Sequence, residues 1–250
     1  MVAGFLIAGI LFNMHYQYSY EKDYLSEFTD SGEALEKLET GVDRAVLSTD
    51  DPSVYRYDQM DTNSSENSSM QMGTNSTAYY FSVASSSIAN FFDEMYLNTP
   101  WEQHYNNLDG RTILDRLASV KYFVVKKGKE SDLPYGYSRL SGEAEKNGKT
   151  YLAYADEDAL PLGYTYDSWI SREDYDKMTV TEKQQALLQG VVLDDSSLPE
   201  TETHFNDREV SYYTSEGKGC RLKNGKVVVT QENAQLKLVF EGEENAETYL

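Results

Sequence analysis

Leu117-Ala118-Ser119-Val120-Lys121-Tyr122-Phe123-Val124-Val125 is the stretch whose reading decides the fold. From Val120 onward, β-branched and aromatic side chains follow one another with a single charge among them, which suits a pleated strand. A run that is apolar at odd and even positions alike belongs to a strand covered on both faces, central in a sheet. Just upstream, Ile113, Leu114 and Leu117 recur on one side of a helix across residues 111–119. A helix that feeds straight into a central strand points to an α/β chain.

Working outward, Val54-Tyr55-Arg56-Tyr57-Asp58 alternates as a strand, and residues 87–96 form an amphipathic helix through Ile88, Phe91, Phe92 and Met95. Downstream, Asn147-Gly148 is a two-residue hairpin signal, joining a strand near residues 135–140 to one near residues 150–154. Residues 162–169 read as a further strand. Thr179 and Glu182 make a capping box that opens a helix carrying Ala186, Leu187 and Leu188, with Gly190 expected at its C-cap. The fold class is therefore α/β (α+β), a mixed sheet with flanking helices.

Three regions follow: residues 1–20, an α/β domain over 21–195, and a β-rich module over 196–250. In the first part of the domain, Asp30 and Glu33 open a helix whose apolar face is Leu35, Leu38, Val42 and Val46. Residues 59–77 are Asn, Ser, Thr, Met and Gln without periodicity, a long polar loop. Its Asn63, Asn67 and Asn75 match glycosylation acceptors, a pattern such a composition produces by itself. In the β module, Asn224-Gly225 precedes a strand over 226–230, and residues 235–241 alternate as another. Glu247-Thr248-Tyr249-Leu250 reads as the opening of a strand, so the module looks incomplete.

Residues 2–12, VAGFLIAGILF, carry no charge. As a helix they cover roughly 16 Å, about half of a ~30 Å hydrocarbon core. No Lys or Arg precedes Lys22, which disfavours a secretory leader. His15, Tyr16, Tyr18 and Tyr20 then resemble an interfacial aromatic belt. The tail of a truncated transmembrane helix is the favoured reading, with a signal remnant and a buried soluble helix as alternatives. The scarcity of Lys and Arg just beyond favours the outer face of the membrane.

Against 22 Lys and Arg stand 42 Asp and Glu, a net charge of −20 that removes nucleic-acid binding as a leading reading. One cysteine, Cys220, excludes a disulfide framework, and three scattered histidines supply no zinc motif. The acidic groups Asp156/Glu157/Asp158, Glu173/Asp174/Asp176 and Asp194/Asp195 lack calcium-loop spacing and read as solvated turns. His104 has no Ser-His-Asp arrangement around it and reads as structural. No catalytic residue and no metal ligand is assigned.

The elements Val54-Tyr55-Arg56, the Asn/Met-rich loop leading to Ser85-Ser86, the stretch from Leu117 to Val125, and Ala159-Leu160-Pro161-Leu162-Gly163-Tyr164 occur in that order. Together they resemble the bacterial YfhO family of large polytopic membrane proteins across residues 53–195. One departure is Tyr154-Ala155-Asp156, where the family more often has a Tyr-Glu-Asn run. The resemblance implies a GT-C-type glycosyltransferase of Gram-positive bacteria that uses a polyprenyl-phosphate sugar donor. It would work at the outer face of the cell membrane on a polymer such as lipoteichoic acid. The catalytic carboxylate of such enzymes is expected in an outer loop between early membrane helices, outside this sequence.

On that reading this region is an extracytoplasmic accessory domain. Its partners are the membrane, the transmembrane helices of the same chain and a cell-surface glycopolymer. A polyanionic acceptor would need a local basic spot, for which Arg56 and Lys121 are the candidates. Trp101, Trp169, Tyr122 and Tyr164 are the candidate sugar-stacking rings. Two other classes stay open: a carbohydrate- or protein-binding module, marked by an exposed aromatic platform, and a free-standing hydrolase, marked by two carboxylates facing across a cleft.

Overall fold

The computed structural model describes residues 2–18, 31–33, 36, 54–59, 67–99, 103–146, 148–223, 226–243 and 246–249. The expected helix from Glu33 through Val46, Trp101, Asn63 and the Asn224-Gly225 turn fall wholly or largely outside them.

In chain order the elements are α1 (Val2–Tyr18), β1 (Arg56–Gln59), α2 (Ser68–Met72), β2 (Tyr79–Tyr80), α3 (Ser86–Glu94), β3 (His104–Tyr105), α4 (Thr112–Leu117) and β4 (Val120–Lys126). There follow β5 (Ser138–Arg139), β6 (Ala144–Lys146), β7 (Lys149–Ala155), β8 (Trp169–Ser171), α5 (Arg172–Lys177), α6 (Val180–Ala186) and β9 (Val191–Leu193). The last four are β10 (Tyr212–Lys218), β11 (Cys220–Lys223), β12 (Lys226–Val229) and β13 (Gln235–Phe240).

The chain is a mixed α/β protein, and β4 is the centre of its main sheet. β1 lies parallel to β4 on one side, and β7 antiparallel on the other, with β5 and β6 both paired to β7. Two parallel strands need a long crossover, and here the chain between β1 and β4 supplies it with α2, β2, α3, β3 and α4. Val120, Tyr122, Phe123, Val124 and Val125 are all buried. Tyr122 and Val124 join Tyr57, Ala153 and Ala155 in one apolar cluster; Val125 joins Leu152 and Tyr154 in another. Burial of these five β4 side chains contributes on the order of 10 kcal/mol before entropy is subtracted. A larger cluster of Phe92, Met95, Leu97, Tyr105, Leu108, Leu114, Ile170, Tyr175 and Ala186 packs the helices together.

Several local expectations shift. Residues 135–140 contribute only the two-residue β5, which pairs with Ala155 and Tyr154 at the end of β7. The partner across the 147–148 turn is β6 instead, in register Lys146 to Lys149. Of residues 162–169 only Trp169 is in a strand; β8 starts there and pairs in parallel with β9. The capping box at Thr179 and Glu182 is present, but α6 ends with Leu187 as its C-cap. Gly190 instead packs closely: a Cβ there would lie 3.1 Å from Thr201 Oγ1 and 3.2 Å from Ile170 Cγ1. Residues 246–249 form no strand.

Over residues 2–12 the helix α1 is apolar around its circumference, and residues 2–16 are all exposed. At about 1.5 Å per residue its 17 residues extend roughly 25 Å. Among the described residues no helix is long and apolar enough to cross a membrane.

Candidate functional site

Asp58, inside β1, is completely buried, and a carboxylate there needs partners. The polar segment after α2 provides them. Thr77 N–H donates to Asp58 Oδ1 at 2.9 Å, and the Ser76 and Thr77 hydroxyls donate to the same carboxylate. Burial pushes the Asp58 pKa up; the bonds from Ser76 and Thr77 and the charge of Arg56 oppose that rise. Alongside, the Tyr57 N–H donates to the Asn75 carbonyl at 2.8 Å. The segment is thus pinned along β1, and part of the expected loop is ordered by one carboxylate.

Two residues with positive φ shape the start of this segment. Asn67 (φ 46) precedes α2, and its Oδ1 accepts the Tyr80 N–H at 2.9 Å. Gly73 (φ 72) closes α2 in the left-handed conformation that glycine adopts without steric cost, donating its N–H to Ser69 O.

Between β1 and this segment lies a pocket of about 300 Å³. Tyr55 and Arg56 line it from β1 and the residue before it, and Asn67, Ser69, Met70 and the 74–76 stretch from the pinned segment. Tyr79, Tyr80 and Phe81 add aromatic surface, and Leu162 closes the lining. Three of its rings are braced by a second ring: Tyr80 stacks on His104 at 4.4 Å, Tyr79 on Tyr105 at 4.9 Å, and Tyr55 meets Tyr122 edge-on at 4.7 Å. The Arg56 side chain donates to the Ala118 carbonyl, and its backbone N–H donates to Ser119 O at 2.7 Å. Ser119 takes a positive φ of 61° at the tight junction between α4 and β4.

No carboxylate, histidine or cysteine lines the pocket among the described residues. What it offers is recognition: flat apolar rings beside amides and hydroxyls. Among the described residues no group of three or more His, Cys, Asp or Glu is arranged to hold a metal ion.

The buried carboxylates lie in the fold rather than in the pocket. Asp156 was expected in a solvated acidic turn; instead it is buried, and Arg116 grips it with Nε–Oδ2 at 2.6 Å and Nη2–Oδ1 at 3.1 Å. Arg116 also reaches Asp158 at 2.9 Å. Asp115 is wholly buried on α4, and neither of its oxygens has a hydrogen-bond partner among the described residues. Burial pushes its pKa well above the ordinary range, and the carboxylates of Asp58, Glu247 and Asp156 add to the rise. Glu247, from the C-terminal segment, accepts the Thr112 N–H at 3.0 Å and its hydroxyl at 2.5 Å, closing the start of α4.

The residues singled out from the sequence disperse. Arg56 lines the pocket. Tyr122 is buried behind Tyr55, and the Lys121 ammonium lies 5.8 Å from the Tyr122 ring centre. Tyr164, partly exposed, donates to the Leu117 carbonyl at 3.3 Å and packs edge-on against Tyr166. Trp169 is half-buried on β8, in the small sheet with β9. His104 serves as the stacking partner of Tyr80. Sequence reasoning missed Tyr79, Tyr80 and Phe81, and it noted Asn67 and Asn75 only as matches to glycosylation acceptors, not as lining of a pocket. The available signal was the aromatic run Tyr79-Tyr80-Phe81 directly after an amide-rich segment.

A family model described as bacterial membrane protein YfhO matches residues 2–250. The uncharacterized protein YfhO of Bacillus subtilis (strain 168) is 25% identical over 245 residues, covering 93% of this chain and 27% of that protein. The chain therefore spans about a quarter of that relative's length. No solved structure matches it.

Proposed function

This chain belongs to the YfhO family of bacterial membrane proteins, and on that premise we propose that it is an extracytoplasmic accessory domain of a membrane glycosyltransferase. The parent protein moves a sugar from a polyprenyl-phosphate donor to a cell-surface polymer such as lipoteichoic acid. In this region the work is recognition and positioning; the reacting carboxylate lies elsewhere in the protein.

One observation carries the reading: a helix that is apolar on every side over residues 2–12 and exposed along residues 2–16, on the same chain as a pocket of tyrosine rings and amides. Such a helix needs an apolar solvent or apolar neighbours, which a bilayer with further membrane helices supplies. The pocket suits a ligand with both apolar faces and hydroxyls. A surface carbohydrate-binding module without transfer activity is the second reading, and the same pocket favours it over a protein-binding one. The hydrolase reading loses ground, because Asp58, Asp115 and Asp156 are buried and do not line the pocket.

The test compares the sugar content of lipoteichoic acid in a strain lacking the full-length gene with that of its parent. Loss of a sugar substituent, restored by the intact gene, is the expected result. Unchanged lipoteichoic acid removes this acceptor. Unchanged sugar on every wall and membrane polymer removes the transferase reading and leaves the binding module.

A further inference from the structure

Resting on the reading of this region as part of a glycosyl-transfer protein, the geometry points to the pocket between β1 and residues 67–81 as a binding site for one neutral pyranose ring of a glycan. Its volume of about 300 Å³ lies at the low end for small-ligand sites, room for one ring and its hydroxyls. Apolar surface stands open there: Phe81 keeps 55% of its surface exposed, Met70 67% and Leu162 50%. A pyranose has C–H faces that lie against such surface and an equatorial rim of hydroxyls that needs neutral donors and acceptors. The Ser69 hydroxyl, the Tyr80 phenol and the Asn75 amide supply those around the same pocket.

Charge decides the class of sugar. Arg56 is the one cation lining the pocket among the described residues. Its guanidinium is already bonded to the Ala118 carbonyl, and the buried Asp58 carboxylate opposes its charge. With −20 on the chain as a whole, a phosphate or uronate gains little here and meets a repulsive field. Arg56 is accordingly a positioning residue, tying β1 to the α4–β4 junction. The site is also formed before a ligand arrives. Asp58 anchors residues 76–77, and the Tyr79 and Tyr80 rings rest on Tyr105 and His104, so little ordering cost remains for binding.

The test uses the full-length protein in lipid nanodiscs, with saturation-transfer NMR and four probes. These are the methyl glycosides of D-glucose, D-galactose and N-acetyl-D-glucosamine, and glucose 6-phosphate. At least one neutral glycoside is expected to bind, and Phe81→Ala and Asn75→Ala each to weaken it at least tenfold. Both side chains are exposed, and the one bond lost, from Asn75 Nδ2 to the Tyr55 carbonyl at 3.4 Å, is an exposed one, so both variants keep the fold; Val83→Ser, at a residue exposed outside the pocket, leaves binding unchanged. A trisaccharide ending in the bound sugar is expected to bind at least as tightly as its methyl glycoside, and failure to bind overturns the glycan as the source. The proposal is also overturned by absence of neutral-glycoside binding, by binding that ignores both pocket variants, or by glucose 6-phosphate binding tenfold tighter than the neutral sugars. If the pocket fails while sugar transfer depends on the gene, this inference alone falls. If the pocket binds while every polymer keeps its sugar without the gene, the transferase reading alone falls.

Discussion

Replacing Asp115 by Asn is expected to stabilise the protein at neutral pH, although it changes an ionisable residue in the most buried part of the fold. Asp115 is 0% exposed, and neither oxygen has a hydrogen-bond partner among the described residues. Burial and the neighbouring carboxylates of Asp58, Glu247 and Asp156 raise its pKa well above the ordinary range. In the unfolded chain the same group titrates near ~3.9. Between these two values the folded state holds a proton that the unfolded state has released. Stability from this group is therefore complete below the unfolded pKa and is lost as pH rises toward the folded one. The slope approaches about −1.4 kcal/mol per pH unit inside that window. Asparagine is nearly isosteric and cannot ionise, so it removes the slope and keeps the shape. The remaining amide still lacks partners, a cost that the buried carboxyl carries too, so the gain comes from the proton linkage and is set at roughly 1 kcal/mol or more at pH 7, about one pH unit of that slope. For a chain of this length that is a rise of about 3 °C in Tm. The assay is thermal unfolding followed by near-UV circular dichroism in mild detergent, at steps from pH 4.5 to pH 7.5, for both proteins. The two Tm curves should converge at the acid end and separate toward neutral pH, with Asp115→Asn above. Parallel curves, or a variant that melts lower at every pH, would refute the reasoning: Asp115 would then be ionised and bonded in the fold.

Asp58→Ala removes the acceptor of three hydrogen bonds from Ser76 and Thr77. A loss of about 2 kcal/mol is expected, because the buried Thr77 donors are left without a partner, and amide hydrogen exchange should quicken selectively over residues 67–81. Arg116→Ala leaves Asp156 buried without its cation. The cost is set at roughly 3 kcal/mol, the lower end for a broken buried pair, because Arg116 keeps 28% of its side chain exposed; an unchanged Tm shows that the pair is worth no more than a surface bridge. Thr179→Ala abolishes the capping box of α6 and should cost about 1 kcal/mol, with Thr179→Ser recovering most of it in the same melting experiment.

What could be read from the chain follows from how far each interaction reaches. The central position of β4 was legible because consecutive apolar residues are informative by themselves: a strand with no polar face has to be covered on both sides. The α6 cap was legible because its donors and acceptors lie within four residues, Thr179 to Glu182. The helices α3 and α4 declared themselves through one-sided apolar spacing. Membership of the YfhO family, too, rested on the order of short motifs, and the family match bears it out.

Where a residue's partner is distant, the sequence is silent. Asp58 and Thr77 are 19 positions apart, yet their bonds turn a featureless Asn/Ser stretch into one wall of a pocket. Asp156 looks like any residue of an acidic turn until Arg116, 40 positions away, is seen to hold it in the interior. Glu247 meets Thr112 across 135 positions, so the end of the chain serves as a helix cap rather than as the strand its composition suggests. Composition and periodicity specified which faces are apolar and hence the α/β class, because burial acts on each segment through its own side-chain pattern. Which polar groups pair, and therefore where the pocket lies, was decided only by the tertiary structure, because hydrogen bonds depend on ångström-scale placement of groups that the chain keeps far apart.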